Sequence, residues 1–299
     1  MMAQSEVPLP DVLVRAVSRD GAASVMAVTA TQLVSEAISV APTSPLAAAA
    51  LGRALMGSLL IAASKKSGET IQIQLRGKGP LGTVTAIADA ELQVRGTLTH
   101  RDAELPLRAD GRPDVSQGVG RGVLGVVRHH PNWREPYSGF VPMTLRDIAK
   151  DLTRYLMESE QAPSALGLSV EHDAEGGVLA AAAFLVQALP GAEDATLAEL
   201  EANVKALPAA ARLVAEGSAD ADELLGRIAG DVAMGDRSYQ TPSFHCPCTR
   251  ARASRSLQLL EPQELRELIA SGQSQGVECQ FCGVSYEIGP DELLGLIEA

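Results

Sequence analysis

Short stretches that alternate apolar and polar positions, or run apolar throughout, dominate the first 190 residues. VLVRAVS, SVMAVTA, TIQIQLRG, GTVTAIADA, ELQVRGTLT and GVLGVVRH are rich in β-branched residues and bounded by glycine or polar residues. This is the signature of strands. Their order shows no repeating strand–helix–strand unit, which predicts a largely antiparallel sheet. Two stretches switch to the helical period. In TSPLAAAALGRALMGSLLIAASK, Thr43 or Ser44 supplies the N-cap and Pro45 the first turn, while Leu51, Leu55, Leu59 and Ala62 mark a buried face. In TLRDIAKDLTRYLMESEQ, Leu145, Ile148, Leu152, Tyr155 and Leu156 fall at helical spacing. GGVLAAAAFLVQALPG reads as a buried strand, being too short to span a bilayer.

The pattern changes at Gly191. Leu197, Leu200, Val204 and Leu207, then Leu224, Leu225, Ile228 and Val232, keep a helical period that Pro208 and Gly217 interrupt. Between residues 191 and 240, 13 of 50 residues are alanine, and ten acidic residues face four basic ones. Such helices are marginally stable by themselves. They make either a solvated connector or a conformational switch, and their apolar stripes lead us to expect packing on the large domain. The last sixty residues hold a CxC, a short helix EPQELRELIASG, a CxxC among strand-like residues and a final helix PDELLGLIEA. Too few apolar residues are present there for an independent core, and a domain of that size normally needs a staple. The expected fold class is therefore α+β: an N-terminal domain of mostly antiparallel sheet with helices over 1–190, a helical linker over 191–240 and a small C-terminal zinc-binding domain over 241–299.

Composition narrows the function. With 299 residues, 46% of them hydrophobic, the chain can fill a sizeable core without crosslinks. The N-terminus MMAQSEVPLPDVLVRAVS lacks a basic segment followed by an apolar one, and no uninterrupted apolar run reaches membrane-spanning length, so a cytoplasmic protein without a membrane partner is expected. A formal charge of −12 repels phosphate backbones, and nucleic acid is not an expected partner.

All four cysteines, Cys246, Cys248, Cys279 and Cys282, lie in the last fifth of the chain. In a reducing compartment clustered cysteines are metal ligands, redox sensors or both. Two close pairs separated by a 30-residue insert fit a tetrahedral Zn²⁺ site with four thiolates. Cys279-Gln280-Phe281-Cys282-Gly283 resembles a zinc knuckle, whose glycine permits the turn that brings backbone amides toward sulfur. A thioredoxin-type motif would need its first cysteine at a helix N-terminus, whereas Val284, Tyr286 and Ile288 alternate as a strand does. The CxC pair closes only a very small disulfide ring, and strained disulfides are the labile ones. Arg250, Arg252 and Arg255 follow at once, and nearby positive charge favours thiolate, the form that peroxide attacks. A purely structural zinc site satisfies the same spacing. His245 is an alternative ligand, although a polar neighbour is its more ordinary role.

Other motifs carry less. Gly77 to Gly82 and Gly120 to Gly125 both fit GxGxxG, but strand-like residues follow each, so turns or bulges are expected rather than a dinucleotide site. Neither an ATP-binding loop nor a nucleophile elbow is present. His129 and His130 lack a matched carboxylate and read as surface or turn residues.

CPCTR followed by VECQFCGVSY resembles the heat shock protein 33 family of redox-regulated holdase chaperones. DVLVRAVSRDG, TSPLAAAALGRAL, GKGPLGTVTAIAD and EPYSGFVPMTLRDIAKDLTRYLMESEQAPSALGLSV are similar to that family's segments and keep their order, so the resemblance covers essentially the whole chain. It implies a substrate-binding domain, a linker and a zinc redox switch: a binding protein, not an enzyme. When reduced it would hold one Zn²⁺ on Cys246, Cys248, Cys279 and Cys282 and be inactive. On oxidation Cys246 would pair with Cys248 and Cys279 with Cys282, zinc would leave, the linker would unfold, and a homodimer would hold unfolding clients without ATP. Four cysteines permit three pairings, and the resemblance selects this one. The family often has an acidic residue where Ala251 stands, a departure that removes no ligand. Two other readings are a zinc-ribbon nucleic-acid-binding module, favoured by the three arginines, and a thiol-disulfide oxidoreductase using Cys279 and Cys282.

Overall fold

The structure is a computed structural model that describes residues 10–145, 147–192 and 194–298. The chain forms two compact units, one ending at Phe244 and one beginning at His245. The first unit starts with β1 (Leu13–Val17), β2 (Ala23–Thr29), α1 (Thr31–Ser39), α2 (Pro45–Ala62), β3 (Thr70–Gly77), β4 (Thr83–Asp89), β5 (Gln93–Leu98) and α3 (Val115–Val119). It continues with β6 (Gly122–His129), β7 (Tyr137–Met143), α4 (Ile148–Ser159), β8 (Ser164–His172) and β9 (Val178–Ala188). Then come α5 (Asp194–Ala206), α6 (Ala210–Ala215), α7 (Ala221–Ala229), β10 (Ser238–Gln240) and β11 (Ser243–Phe244). The second unit holds α8 (Arg250–Ser256), α9 (Pro262–Ser271), β12 (Gln275–Glu278), β13 (Ser285–Ile288) and α10 (Pro290–Glu298).

The α+β class holds, with the large domain's strands divided between two sheets. Their orders are β10-β1-β2-β9-β8 and β11-β5-β4-β3-β6-β7, and every pair is antiparallel except β11 with β5. The helix α2 runs between the sheets, against β3, β4 and β5 on one side and β8 and β9 on the other. Ser44 caps it, accepting from the Ala47 amide at 3.2 Å, and Pro45 occupies its first turn. Sequence periodicity marks one buried face, but every residue from Leu46 to Ala62 except Arg53 is buried. A helix covered on both sides has no solvent face to keep polar. Gly52 and Gly57 let it approach its neighbours: a β-carbon there would lie 2.9 Å from Val34 and Val170, and 2.7 Å from Leu152. Long and apolar enough to cross a membrane, α2 is instead the core of this unit.

The other helix begins later than its apolar spacing predicts. Asp147 caps α4 by accepting from the Lys150 amide at 3.1 Å, and Leu145 stands ahead of it, 49% exposed, rather than on its buried face. Both GxGxxG stretches are turn and strand: the first closes β3 and turns toward β4, the second runs into β6.

The helices of 191–240 belong to the first unit and pack one face on it, while most of α5 remains exposed. On the sheet face away from α2 they bury Leu200, Leu213, Leu224, Leu225 and Ile228 against Val14, Val25, Ala27, Phe184 and Val186. Asp220 and Glu223 form a capping box at the start of α7. The chain then pairs with both sheet edges in turn: β10 lies antiparallel to β1, and β11 parallel to β5.

In the second unit β12 and β13 form a hairpin, with Val277 opposite Tyr286. Its buried apolar cluster is Leu265, Ile288 and Leu293.

Candidate metal and redox centre

Cys246 and Cys248 follow β11, and Thr249 then starts α8 by accepting from the Arg252 amide at 3.3 Å. Cys279 and Cys282 lie in the turn of the β12–β13 hairpin. There the Cys279 amide donates to Val284 O at 2.9 Å and the Gly283 amide to Cys279 O at 2.8 Å. Gly283 has φ +69°, a conformation that a side chain would strain. The knuckle therefore folds as its CxxCG pattern predicts.

The two cysteine pairs converge. All four sulfurs lie within 4.8 Å of one another, with Cys246 Sγ 3.7 Å from Cys279 Sγ and Cys248 Sγ 3.3 Å from Cys282 Sγ. Four sulfurs about 2.3 Å from a tetrahedral ion stand about 3.8 Å apart, so this donor set fits a thiophilic metal ion. Among the described residues it is the one group of three or more His, Cys, Asp or Glu placed to hold a metal. His245 is outside it. So are His129, which ends β6, and His130, which accepts from the Asn132 amide at 3.1 Å and lies beside Trp133.

The four sulfurs are not equivalent. Burial pushes the Cys246 and Cys282 thiols up. Cys248 goes down, chiefly because the Tyr286 hydroxyl donates to its sulfur at 3.2 Å, and the same bond pushes Tyr286 up to about 12. Two of the three arginines are engaged elsewhere. Arg250 pairs with Glu292 at 3.0 Å and donates to the Glu287 carbonyl, and Arg252 donates to Pro247 O at 3.3 Å. Sequence reasoning picks out the cationic run and passes over Tyr286, whose signal is a tyrosine on one face of the strand after the knuckle.

A small hairpin module clipped by four thiols, following an α+β sandwich, defines a class of protein with a metal- or disulfide-forming staple at its C-terminal end. Residues 11–289 match the model of the Hsp33 protein family, and the chain belongs to that family. It is 36% identical over 294 residues to the 33 kDa chaperonin of Lactobacillus johnsonii, covering 97% of this chain and 99% of that one. It is 33% identical to the 33 kDa chaperonin of Shouchella clausii, covering 97% and 98%. The crystal structure of the 33 kDa chaperonin from Thermotoga maritima superimposes with a TM-score of 0.88 at 31% identity, covering 97% of this chain and 98% of that one. The family and these names make the chain a chaperone, and its four-cysteine cluster is compatible with a metal ion and with redox-active disulfides.

Proposed function

We propose that the chain is a cytoplasmic, ATP-independent holdase gated by the oxidation state of Cys246, Cys248, Cys279 and Cys282. The observation that carries this reading is the convergence of the four sulfurs in a module whose buried core, among the described residues, is Leu265, Ile288 and Leu293. In the reduced state the four thiolates hold one Zn²⁺. A metal so held contributes folding free energy on the order of 10 kcal/mol.

Oxidation removes the donor set. Each pair of thiolates gives two electrons to one hydrogen peroxide, a sulfur–sulfur bond forms, and two hydroxides leave. The sulfur distances leave all three pairings open, and the family resemblance favours Cys246 with Cys248 and Cys279 with Cys282. Without its staple the module loses its fold.

The first unit supplies the client surface. Under α5, α6 and α7 lies an apolar sheet face formed by Val14, Val25, Ala27, Phe184 and Val186. Release of these helices presents that face to unfolding proteins, and two copies that expose it associate as a homodimer. Residues 1–190 are thus the substrate-binding domain, 191–240 the releasable cover and 241–299 the switch. Binding of exposed apolar chain needs no bond to be made or broken in the client, which makes this a binding protein and not an enzyme. Nucleic acid is disfavoured by the charge of −12 and by the commitment of Arg250 to Glu292.

The test is light scattering from a heat-unfolding client, with the chain added either reduced and zinc-loaded or after peroxide at mild heat. Suppression by the oxidised form alone supports the reading. Suppression by both forms or by neither reduces the cluster to a structural clip.

A further inference from the structure

We propose that Tyr286 is a positioning residue of the switch: its hydroxyl holds Cys248 in the four-sulfur cluster and slows that sulfur's oxidation. This rests on the redox reading above and names a residue that regulates the same site. Tyr286 Oη lies 3.2 Å from Cys248 Sγ, and toward a thiolate, which has no proton to give, the hydroxyl is the donor. The ring of Tyr286 packs against the Leu265, Ile288 and Leu293 cluster, and its backbone pairs with Val277 across the hairpin. One residue therefore touches the sulfur cluster, the module's small core and its only hairpin among the described residues.

The chemistry follows from where the proton sits. With a metal held by the four sulfurs all of them would be thiolates already, so a hydrogen bond donated to Cys248 adds nothing to its thiolate population; it lowers that sulfur's intrinsic nucleophilicity and holds it in place. Partners of this kind, one shell outside the ligands, orient the ligand, and their loss typically costs about 10- to 100-fold in metal affinity. Cys248 sits in the CxC, where no strand holds it, whereas Cys279 and Cys282 are set by the knuckle's own backbone bonds. An outside donor matters most at the sulfur its own backbone orients least. Tyr286 also gives the oxidation event a mechanical outlet, because a disulfide at Cys248 removes the acceptor that ties β13 to the cluster.

The experiment uses the full chain, wild type and Tyr286→Phe, which keeps the ring and deletes only the hydroxyl. Three quantities are read: zinc affinity by competition with a chromogenic chelator, the sulfur-to-cobalt charge-transfer band of the Co²⁺-loaded protein, and the rate of metal release under peroxide. The variant is expected to lose affinity about 10-fold, to shift the charge-transfer band and to release metal faster than wild type. An unchanged affinity with an unchanged band overturns the proposal. Ile288→Ala serves as the packing control, expected to weaken binding without moving the band. A band shift in Ile288→Ala equal to that of Tyr286→Phe assigns the effect to packing and also overturns the proposal. Wild-type protein that keeps its metal under peroxide defeats the redox reading, while affinity and band still decide the role of Tyr286.

Discussion

In the first unit one helix, α2, buries Leu51, Leu55, Met56, Leu59, Leu60 and Ile61 to 1% exposure or less, whereas among the described residues of the second unit the buried apolar side chains are Leu265, Ile288 and Leu293. The second sets four sulfurs within 4.8 Å of one another beside that small cluster. Between these extremes lie α5, α6 and α7, which do bury apolar side chains, but on the outer face of an already complete sandwich. Buried apolar area thus falls from the sandwich to its helical cover to the four-cysteine module, which orders the expected local stabilities in the same way.

The comparison breaks most visibly at the metal. Chelation of the reduced protein, or Cys279→Ser, is expected to abolish amide protection from Cys246 to Ile288 while leaving α2 and β3 protected, a loss on the order of 10 kcal/mol local to the module. Hydrogen exchange read by segment checks it, and equal loss in both units would show that they are not independent. Next in size is Leu55→Ala. It opens a cavity between α2 and β5, where a β-carbon on Gly96 would already lie 2.8 Å from the leucine. This is expected to cost about 3–4 kcal/mol, read as a lowered urea midpoint for the first unit with unchanged zinc content. Leu225→Ala, on the buried face of the linker helix α7, is expected to cost about 2–3 kcal/mol. Its signature differs: early exchange across 194–229 and client binding at a lower oxidant dose. A smaller change is Asp220→Ala, which removes half of the capping box of α7 and is expected to cost about 1 kcal/mol, seen as a slight loss of protection in that helix alone.

Much of this was legible in the sequence because it is local. Ser44-Pro45 specifies a helix start within two residues, alternation in TIQIQLRG and GTVTAIADA specifies strands, and CxxCG specifies a knuckle. What stayed hidden depends on partners far along the chain. The helix α1 has no capping side chain of its own: Asp11, about twenty positions earlier, accepts from the Gln32 and Leu33 amides at 3.2 and 2.7 Å. The division of the strands between two sheets is invisible to periodicity, since a strand alternates in the same way in either sheet. The linker's composition suggests solvent, because alanine and acidic residues carry little apolar weight. Its few leucines suffice because Phe184 and Val186 meet them from a strand already buried on its other face. At the site the cysteines were legible by spacing, but the hydroxyl that distinguishes one sulfur was not, since a tyrosine in a strand ordinarily means packing.

The segment from Ser238 to Phe244 also limits what can happen to the length of the chain. Only Thr241 and Pro242 separate the strand that closes one sheet from the strand that closes the other. Three peptide steps from Gln240 to Ser243 reach at most about 10–11 Å, no more than the width of a helix with its side chains, about 10–12 Å. Along this side the two sheets must therefore converge to roughly the thickness of the helix they enclose, and these two residues act as the gauge of that gap. An inserted residue would leave slack and throw one of the two pairings out of register, and a deletion would force the chain to give up one sheet edge. Loops elsewhere in the chain carry no such double constraint, and at this point the spacing is expected to tolerate no change in count.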